Sequence, residues 1–165
     1  MYNIYLFFAL SLVVLGYVVF FWRWKKNEQN FYPKNKPLLF GHRGSPHIIT
    51  ENTILSFEKA IEQGVDGLEF DIRLSKDKKI IIFHDSNLKR LAGVDKKTKN
   101  YTHDQLKEYP LETGGIIPLL DDIVPLFDKI KVVNIEIKSE GIMKGHSIVT
   151  PLINFLDKHN IDDKC

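Results

Sequence analysis

The first feature of the chain is a long run of residues without charge. Residues 4–22 are almost wholly apolar, and nineteen helical residues at about 1.5 Å each span roughly 28 Å, close to the hydrocarbon thickness of a bilayer. Its aromatic end, Phe20 to Trp24, suits a membrane interface. We predict a transmembrane anchor over residues 1–24. A cleaved signal peptide is the competing interpretation, but the run lacks a basic start and a small-residue cleavage pattern.

The charges that follow this run indicate its orientation. Residues 23–36 contain basic side chains at positions 23, 25, 26, 34 and 36 against the single acid Glu28. Basic segments stay preferentially on the cytoplasmic side of a membrane. We therefore expect a polar juxtamembrane linker over residues 25–36 and a single-pass membrane protein whose remaining part, residues 37–165, is cytoplasmic.

Strand-like and helix-like patterns alternate along the remaining part of the chain. The predicted strands are residues 38–42, 67–74, 80–84 and 132–138. Helical spacing of apolar residues begins at Ile54, after a cap at Asn52 or Thr53, and ends near Gly64. A second helix is predicted over residues 146–159, whereas residues 86–118 look polar and irregular apart from one turn near residues 104–109. This alternation predicts an α/β fold with a parallel sheet, open or closed as a barrel.

Charged residues alternate with apolar ones along two of these strands. Glu69, Asp71 and Arg73 share one face of their strand, and Glu136 and Lys138 share one face of theirs. A solvated outer face would explain one such strand. Inside a barrel, however, carboxylates are costly unless they are paired or bind a metal. Two such strands favour a functional site.

The link between the second and third predicted strands is too short for a helical crossover. Five residues, 75–79, join them, whereas a crossover needs about a dozen. We therefore predict a hairpin that sets residue 84 opposite residue 71, with His84 beside the Asp71 carboxylate.

Most of the candidate site residues lie in or just after the C-terminal parts of predicted strands, where α/β-barrel enzymes carry their active sites. The candidates are His42, Arg43, Glu51, Glu69, Asp71, His84, Asp85, Glu136 and Lys138. Three carboxylates suit Mg²⁺ or Ca²⁺, basic side chains can hold a phosphate, and two imidazoles can transfer protons at neutral pH. This equipment indicates cleavage of a phosphate ester. The other histidines, at 47, 103, 146 and 159, are expected to be structural or on the surface.

Composition excludes several other classes of function. Residues 37–165 hold nearly equal numbers of acidic and basic side chains, so no nucleic acid is expected as a partner. Cys165 is the single cysteine, so neither a disulfide framework nor a thiolate metal site can form within the chain.

Five motifs, in order, resemble those of the glycerophosphodiester phosphodiesterase family. They are GHRG, ENT, GLEFDIRLSKD, IIIFHD and NIEIK, and the resemblance runs from about Leu38 to Lys138. It implies a (β/α)₈ barrel that uses a divalent cation to hydrolyse glycerophosphodiesters to sn-glycerol 3-phosphate and an alcohol. Residue by residue, the resemblance implies that His42 and His84 are the acid–base pair and that Glu69, Asp71 and Glu136 are the metal ligands. It also implies that Arg43 and Lys138 bind the phosphate and that Glu51 is a supporting acid.

The length of the chain departs from the family pattern. A full barrel needs about 250 residues, and roughly half that number follow the membrane segment. We expect a truncated domain over residues 37–165 that forms a partial TIM-like barrel with about the first half of the strands. A second barrel half is a candidate partner, and we expect the chain alone to be poorly soluble and nearly inactive.

Three functions remain open from the sequence. The first is a membrane-anchored phosphodiesterase that acts on a soluble glycerophosphodiester or on a lysophospholipid from the bilayer. The second is an inactive or partner-dependent barrel that serves as a membrane-tethered phosphate-binding module. The third is a relative with lysophospholipase D or lyase activity, similar to sphingomyelinase D or phosphatidylinositol phospholipase, which would release a cyclic phosphate.

Overall fold

The computed structural model describes residues 2–23, 36–138, 146–161 and 164–165. The chain divides into two compact units, Met1–Asn30 and Phe31–Cys165. Except for Lys36, the predicted juxtamembrane linker lies outside the described residues.

In the first unit, residues Tyr2–Arg23 form the helix α1. Residues 4–22 of this helix are all exposed, and the segment Ile4–Trp22 has a mean hydropathy of 2.5. The helix is therefore long and apolar enough to cross a bilayer, a test of length and composition that an N-terminal signal sequence also passes.

The second unit is built on a four-stranded mixed sheet. Its strands are β1 (Phe40–His42), β2 (Gly67–Leu74), β3 (Ile80–Ile82) and β4 (Val132–Ile137). β1 and β4 pair with β2 in parallel, on opposite edges, and β3 pairs antiparallel with the last residues of β2. All four predicted strands are thus present, and the short link does form a hairpin.

The predicted register of that hairpin is wrong by one residue. Ile82 pairs with Ile72, and the backbone N–H of Phe83 donates to the carbonyl of Asp71 (2.9 Å), so Phe83 and not His84 lies opposite Asp71. The turn is centred on Asp77, because Ser75 N–H donates to the Lys79 carbonyl (3.0 Å).

The two faces of β2 have opposite characters. Leu68, Phe70 and Ile72 are fully buried in the main core, while Glu69, Asp71 and Arg73 point to the other face. The ring of Phe70 lies 5.7 Å from that of Phe57 and 6.4 Å from that of Phe127, measured between centroids. Burial of this apolar face stabilises the sheet and so fixes the positions of the charged side chains on the opposite face.

Helical elements cover the apolar face of the sheet. The helix α2 (Ile54–Glu62) joins β1 to β2, and the Thr53 side chain caps it by accepting from the Ser56 N–H at 3.2 Å. A 3₁₀ helix over Leu120–Lys129 precedes β4, and its buried residues Ile123, Leu126 and Phe127 belong to the main core. The last helix, α5 (His146–His159), contributes Ile148, Leu152 and Phe155 to the same core.

The region between β3 and the 3₁₀ helix is more ordered than its polar sequence predicts. It contains the short helices α3 (Lys89–Ala92) and α4 (His103–Leu106) and a 3₁₀ turn over Thr98–Asn100. It also has a hydrophobic core separate from the main one, to which β3 contributes Ile81 and the region itself contributes Phe83, Leu88, Leu91, Leu106, Leu111 and Ile117. We call this region, residues 83–118, the excursion.

Candidate active site

The register of the sheet brings the predicted site residues together. His42, the last residue of β1, is the pairing partner of Glu69 on β2, and Asp71 is the pairing partner of Glu136 on β4. Paired residues of parallel strands project on the same face. Side chains from three separate segments of the sequence therefore gather on the face of β2 that is opposite the main core.

Three carboxylates form the centre of this cluster. Oxygen atoms of Glu69, Asp71 and Glu136 all lie within 4.8 Å of one another. Glu69 and Asp71 are buried, whereas the Glu136 side chain is 52% exposed. Burial, together with the negative charge of Asp71, raises the pKa of Glu69 above its usual value.

Asp71 is the most enclosed of the three acids, with a fully buried side chain. The Asn52 amide donates to its Oδ2 at 2.9 Å, while Arg43 Nε lies 3.1 Å from Oδ2 and Lys138 Nζ lies 3.0 Å from Oδ1. Burial opposes the charged form, but the hydrogen bond from Asn52 and the two cations outweigh it and lower the pKa of Asp71. Asp71 is therefore held as a carboxylate at neutral pH.

Lys138 follows β4 and contacts two of the three acids. Its backbone N–H donates to the Ile72 carbonyl (3.0 Å), and its ammonium pairs with both Asp71 and Glu136. Burial disfavours its charge, but these two carboxylates outweigh that effect and raise the pKa of Lys138. One permanent positive charge thus lies against the carboxylate cluster.

Arg43 lies in a tight loop directly after β1. It has a left-handed backbone (φ 58°), and its N–H points at Glu69, 2.9 Å from the carbonyl oxygen and 3.0 Å from Oε2. Its guanidinium contacts Glu51 through Nη1 (3.1 Å) as well as Asp71. The side chain is 18% exposed, so a positive charge remains accessible at the mouth of the cluster.

The two candidate histidines have different surroundings. The His42 side chain is 67% exposed, and its Nε2 lies 3.8 Å from Glu69 Oε2. His84 is 31% exposed, and its Nδ1 lies 2.7 Å from Asp85 Oδ1. Because a carboxylate can only accept, Nδ1 of His84 carries the proton of the neutral ring, and Nε2 is left to exchange protons with a ligand.

Buried Arg73 fixes the backbone at His84. Its Nε and Nη2 donate to the His84 carbonyl at 3.0 and 2.7 Å. His84 is therefore held at two points, through its carbonyl by Arg73 and through its ring by Asp85.

Glu51 is held by two arginines, one of which the sequence did not single out. Arg90, on α3, donates to Glu51 through both Nη atoms (2.9 and 2.6 Å) and to Asp85 Oδ2 through Nε (2.7 Å). Burial opposes ionisation of Glu51, but Arg90 and Arg43 outweigh it and lower the pKa of Glu51. Arg90 lies in a region that looked irregular, and no spacing rule connects it with residues 51 and 85.

The role of Asn52 was also missed. We expected Asn52 or Thr53 to cap α2; Thr53 is the cap, and the buried Asn52 side chain holds Asp71 instead. The remaining histidines in the described part of the chain fit their expected roles. His47 is exposed, buried His103 contacts the Ile117 carbonyl through Nε2 (3.0 Å), and His159 lies 3.2 Å from Asp121. The side chain of His146 is outside the described residues.

The carboxylate cluster fits one divalent cation. Its donors are hard oxygens, which suit Mg²⁺ or Ca²⁺ and not a soft transition metal. Burial and the neighbouring Asp71 carboxylate raise the pKa of Glu69, and a bound cation would favour its charged form. Glu69, Asp71 and Glu136 are the residues that would hold the ion.

Comparison with known proteins finds a family that matches most of the chain. The sequence profile of the glycerophosphoryl diester phosphodiesterase family matches residues 42–160. The glycerophosphodiester phosphodiesterase of Caldanaerobacter subterraneus subsp. tengcongensis is 34% identical over 137 residues, which cover 78% of this chain and 56% of that protein.

Solved structures show the same similarity. The glycerophosphodiester phosphodiesterase of Thermotoga maritima superposes with a TM-score of 0.62 at 37% identity, over 75% of this chain and 51% of that one. A phosphodiesterase of Oleispira antarctica, crystallised with the product sn-glycerol-3-phosphate, gives a TM-score of 0.65 at 28% identity, over 74% and 53%. The chain spans about half the length of the curated relatives it matches.

Proposed function

Because the chain belongs to the glycerophosphoryl diester phosphodiesterase family, we propose that it carries the metal-dependent active site of a glycerophosphodiester phosphodiesterase. The reaction is hydrolysis of a glycerophosphodiester to sn-glycerol 3-phosphate and an alcohol. One observation carries the proposal. Acids from β2 and β4 gather within 4.8 Å, and His42 and Arg43 at the end of β1 lie against them.

The cations of the site can bind and neutralise a phosphodiester. Arg43 offers a flat guanidinium at the mouth of the cluster, and Lys138 offers an ammonium beside Asp71. Both suit the oxygens of a phosphate, Arg43 by forked hydrogen bonds and Lys138 as a point charge. When bound, a divalent cation would stabilise the charge that develops on the phosphoryl oxygens.

The two histidines supply the proton transfers. His84 is oriented by Asp85 so that Nε2 can take or give a proton, and exposed His42 can do the same from the end of β1. One imidazole removes the proton of the attacking hydroxyl, and the other protonates the leaving alkoxide. The attacking hydroxyl belongs either to water or to the substrate glycerol, and in the second case a cyclic phosphate forms first.

The fold proposed for this site is the first part of a (β/α)₈ barrel. β1, β2 and β4 are parallel neighbours in chain order, as consecutive barrel strands are, and β3 and the excursion lie between β2 and β4 in the sequence. In this arrangement the carboxylates point into the barrel, and the main core lies between sheet and helices.

We also propose that α1 anchors the protein in a membrane with residues 37–165 on the cytoplasmic side. The support is the apolar segment Ile4–Trp22 and the basic residues that follow it. A membrane-impermeant maleimide tests the orientation through the exposed Cys165. Cys165 should be protected in intact cells, and rapid labelling there would contradict the cytoplasmic placement.

Phosphorus NMR tests the proposed reaction. The protein in its complete natural form should convert glycerophosphoethanolamine to sn-glycerol 3-phosphate, lose this activity to a chelator and regain it with Mg²⁺ or Ca²⁺, whereas we expect residues 1–165 on their own to be nearly inactive. His42→Ala and His84→Ala should each lower kcat by about 100-fold or more, as loss of a general acid or base does. His47→Ala, at an exposed histidine outside the cluster, is the matched control.

Three results would contradict the proposal or redirect it. Equal turnover in all three histidine variants would remove the acid–base assignment. Activity that is indifferent to the chelator would remove the cation. A cyclic phosphate as the final product would assign the site to a lyase.

A further inference from the structure

A continuous chain of charged contacts connects His84 with Arg43. His84 Nδ1 lies 2.7 Å from Asp85, Asp85 accepts from Arg90 Nε at 2.7 Å, and Arg90 donates through both Nη atoms to Glu51. Glu51 in turn accepts from Arg43 Nη1 at 3.1 Å. The five side chains come from three segments: the loop after β1, the residues after β3, and α3.

Arg90 is the link on which this chain of contacts depends. All three of its guanidinium nitrogens are used, with two parallel hydrogen bonds to Glu51 and one to Asp85. Forked pairs of this kind fix direction as well as distance. Without the guanidinium, the carboxylates of Glu51 and Asp85 would lose the positive charge that lies between them.

The backbone of Arg90 is fixed by packing and by the cap of α3, in addition to the contacts of its guanidinium. On either side of it, Leu88 and Leu91 are buried in the core of the excursion. The helix α3 ends at Ala92 and is capped by Gly93, which has a left-handed backbone (φ 70°) and whose N–H donates to the Lys89 carbonyl. The packed core of the excursion therefore holds Arg90 in a fixed position facing Glu51 and Asp85, which lie outside α3.

Stability alone does not account for this arrangement. The Arg90 side chain is 46% exposed, and ion pairs at that exposure contribute little to folding. Its two partners, by contrast, contact the residues to which we assign proton transfer and phosphate binding.

We propose that Arg90 is a positioning residue that, by bridging Asp85 and Glu51, fixes the ring of His84 relative to the guanidinium of Arg43. This inference rests on the proposed function. Arg90 does not touch the substrate and takes no part in bond making. The excursion thereby controls the geometry between the proton-transferring ring and the phosphate-binding cation.

Kinetics of three variants test this role. Arg90→Met should lower kcat by about 10- to 100-fold with little change in KM, because misplaced catalytic groups slow the reaction more than they weaken binding. Arg90→Lys should recover part of the loss, since an ammonium keeps the positive charge but cannot reproduce the three directed hydrogen bonds of the guanidinium. Lys89→Met removes a charge from an exposed neighbour on α3 and should leave kcat within about 2-fold of the original protein.

A double variant tests whether Arg90 affects kcat through Asp85. If Arg90 acts through Asp85, Arg90→Met should add little to the loss caused by Asp85→Asn. Fully additive losses would overturn the proposal, as would a kcat for Arg90→Met equal to that of Lys89→Met.

A spectroscopic measurement separates this proposal from the proposed function. In protein labelled with ¹⁵N-histidine, the Nδ1 proton of His84 should be visible and slow to exchange, with assignment by His84→Gln. Arg90→Met should make it exchange with water, whereas Lys89→Met should not. An unchanged proton in Arg90→Met overturns the positioning role, whether or not the protein hydrolyses a phosphodiester. An original protein without hydrolytic activity would instead overturn the proposed function.

Discussion

Two residues of the site have backbones that most side chains avoid. Arg43 and Asn52 have φ values of 58° and 57°, and the Asn52 N–H donates to the Arg43 carbonyl at 3.0 Å. A left-handed conformation costs about 1–3 kcal/mol for a residue other than glycine, and asparagine tolerates it best. These two residues close the loop so that the Arg43 guanidinium and the Asn52 amide both reach Asp71.

Substitution of Asn52 separates the hydrogen bond from the backbone conformation. Asn52→Gly keeps the left-handed backbone but removes the amide from buried Asp71, which should lower the free energy of unfolding by about 1–3 kcal/mol. Asn52→Ala removes the amide and also forces a Cβ into this conformation, at about 1 kcal/mol more. Urea unfolding followed by circular dichroism measures both variants.

The order of the three proteins in free energy of unfolding tests both effects. We predict that the original protein is the most stable of the three and Asn52→Ala the least stable. An alanine variant at least as stable as the glycine variant would contradict the left-handed backbone. A glycine variant as stable as the original would contradict the contribution of the amide.

Between β1 and α2, the loop is tied to the helix by a close contact at Gly44. A Cβ on Gly44 would lie 2.5 Å from Ser56 Oγ and 2.6 Å from the Ser56 carbonyl carbon. Next to it, Ser45 N–H donates to both the carbonyl (3.1 Å) and the hydroxyl (2.8 Å) of Ser56. This contact sets the distance between α2 and the loop that carries Arg43.

Two glycine-to-alanine substitutions test this contact. Gly64, after the C-terminus of α2, has a similar φ (83° against 88° for Gly44), but a Cβ there would meet nothing within 4 Å. Gly64→Ala should cost about 1 kcal/mol of stability, from backbone strain alone. Gly44→Ala should cost at least about 2 kcal/mol more, because the added methyl overlaps the backbone of Ser56. Equal losses in thermal or urea unfolding would show that the approach of the loop to α2 is not close.

The elements that sequence reasoning located were those with a strong local pattern. The alternation of β2, the helical spacing after Thr53 and the short link before β3 each depend on neighbouring residues. The hairpin register was missed because the turn residues at 75–79 allow two registers that differ by one residue. The core of the excursion was missed because its apolar residues are far apart in sequence, from Ile81 to Ile117, and follow no period.

The residues of the candidate site likewise fall into those that the sequence pattern could predict and those that it could not. Glu69, Asp71 and Glu136 could be grouped because they alternate with apolar residues on recognisable strands, and parallel register then pairs Asp71 with Glu136. Arg90 and Asn52 could not be assigned to the site, because their roles depend on where loops fold in three dimensions.

At the scale of the whole molecule, the candidate site and the main core lie on opposite faces of one sheet. Leu68, Phe70 and Ile72 hold β2 against the helices, and the same strand presents Glu69 and Asp71 on its other side. The cluster is completed by Glu136, far along the sequence on β4. A site of this kind exists only when the sheet has formed, so binding of an ion should report both the fold and the chemistry.

Calorimetric titration of the protein with Mg²⁺ and with Ca²⁺ measures directly whether the three carboxylates hold a cation. We predict one binding site, with affinity reduced at least about 10-fold, or about 1.4 kcal/mol, by each of Glu69→Gln, Asp71→Asn and Glu136→Gln. Glu62→Gln, at an exposed acid on α2 that pairs with Lys59, should bind as the original does. If the three cluster variants bind either ion as tightly as Glu62→Gln does, the carboxylates do not hold the cation and the account is wrong.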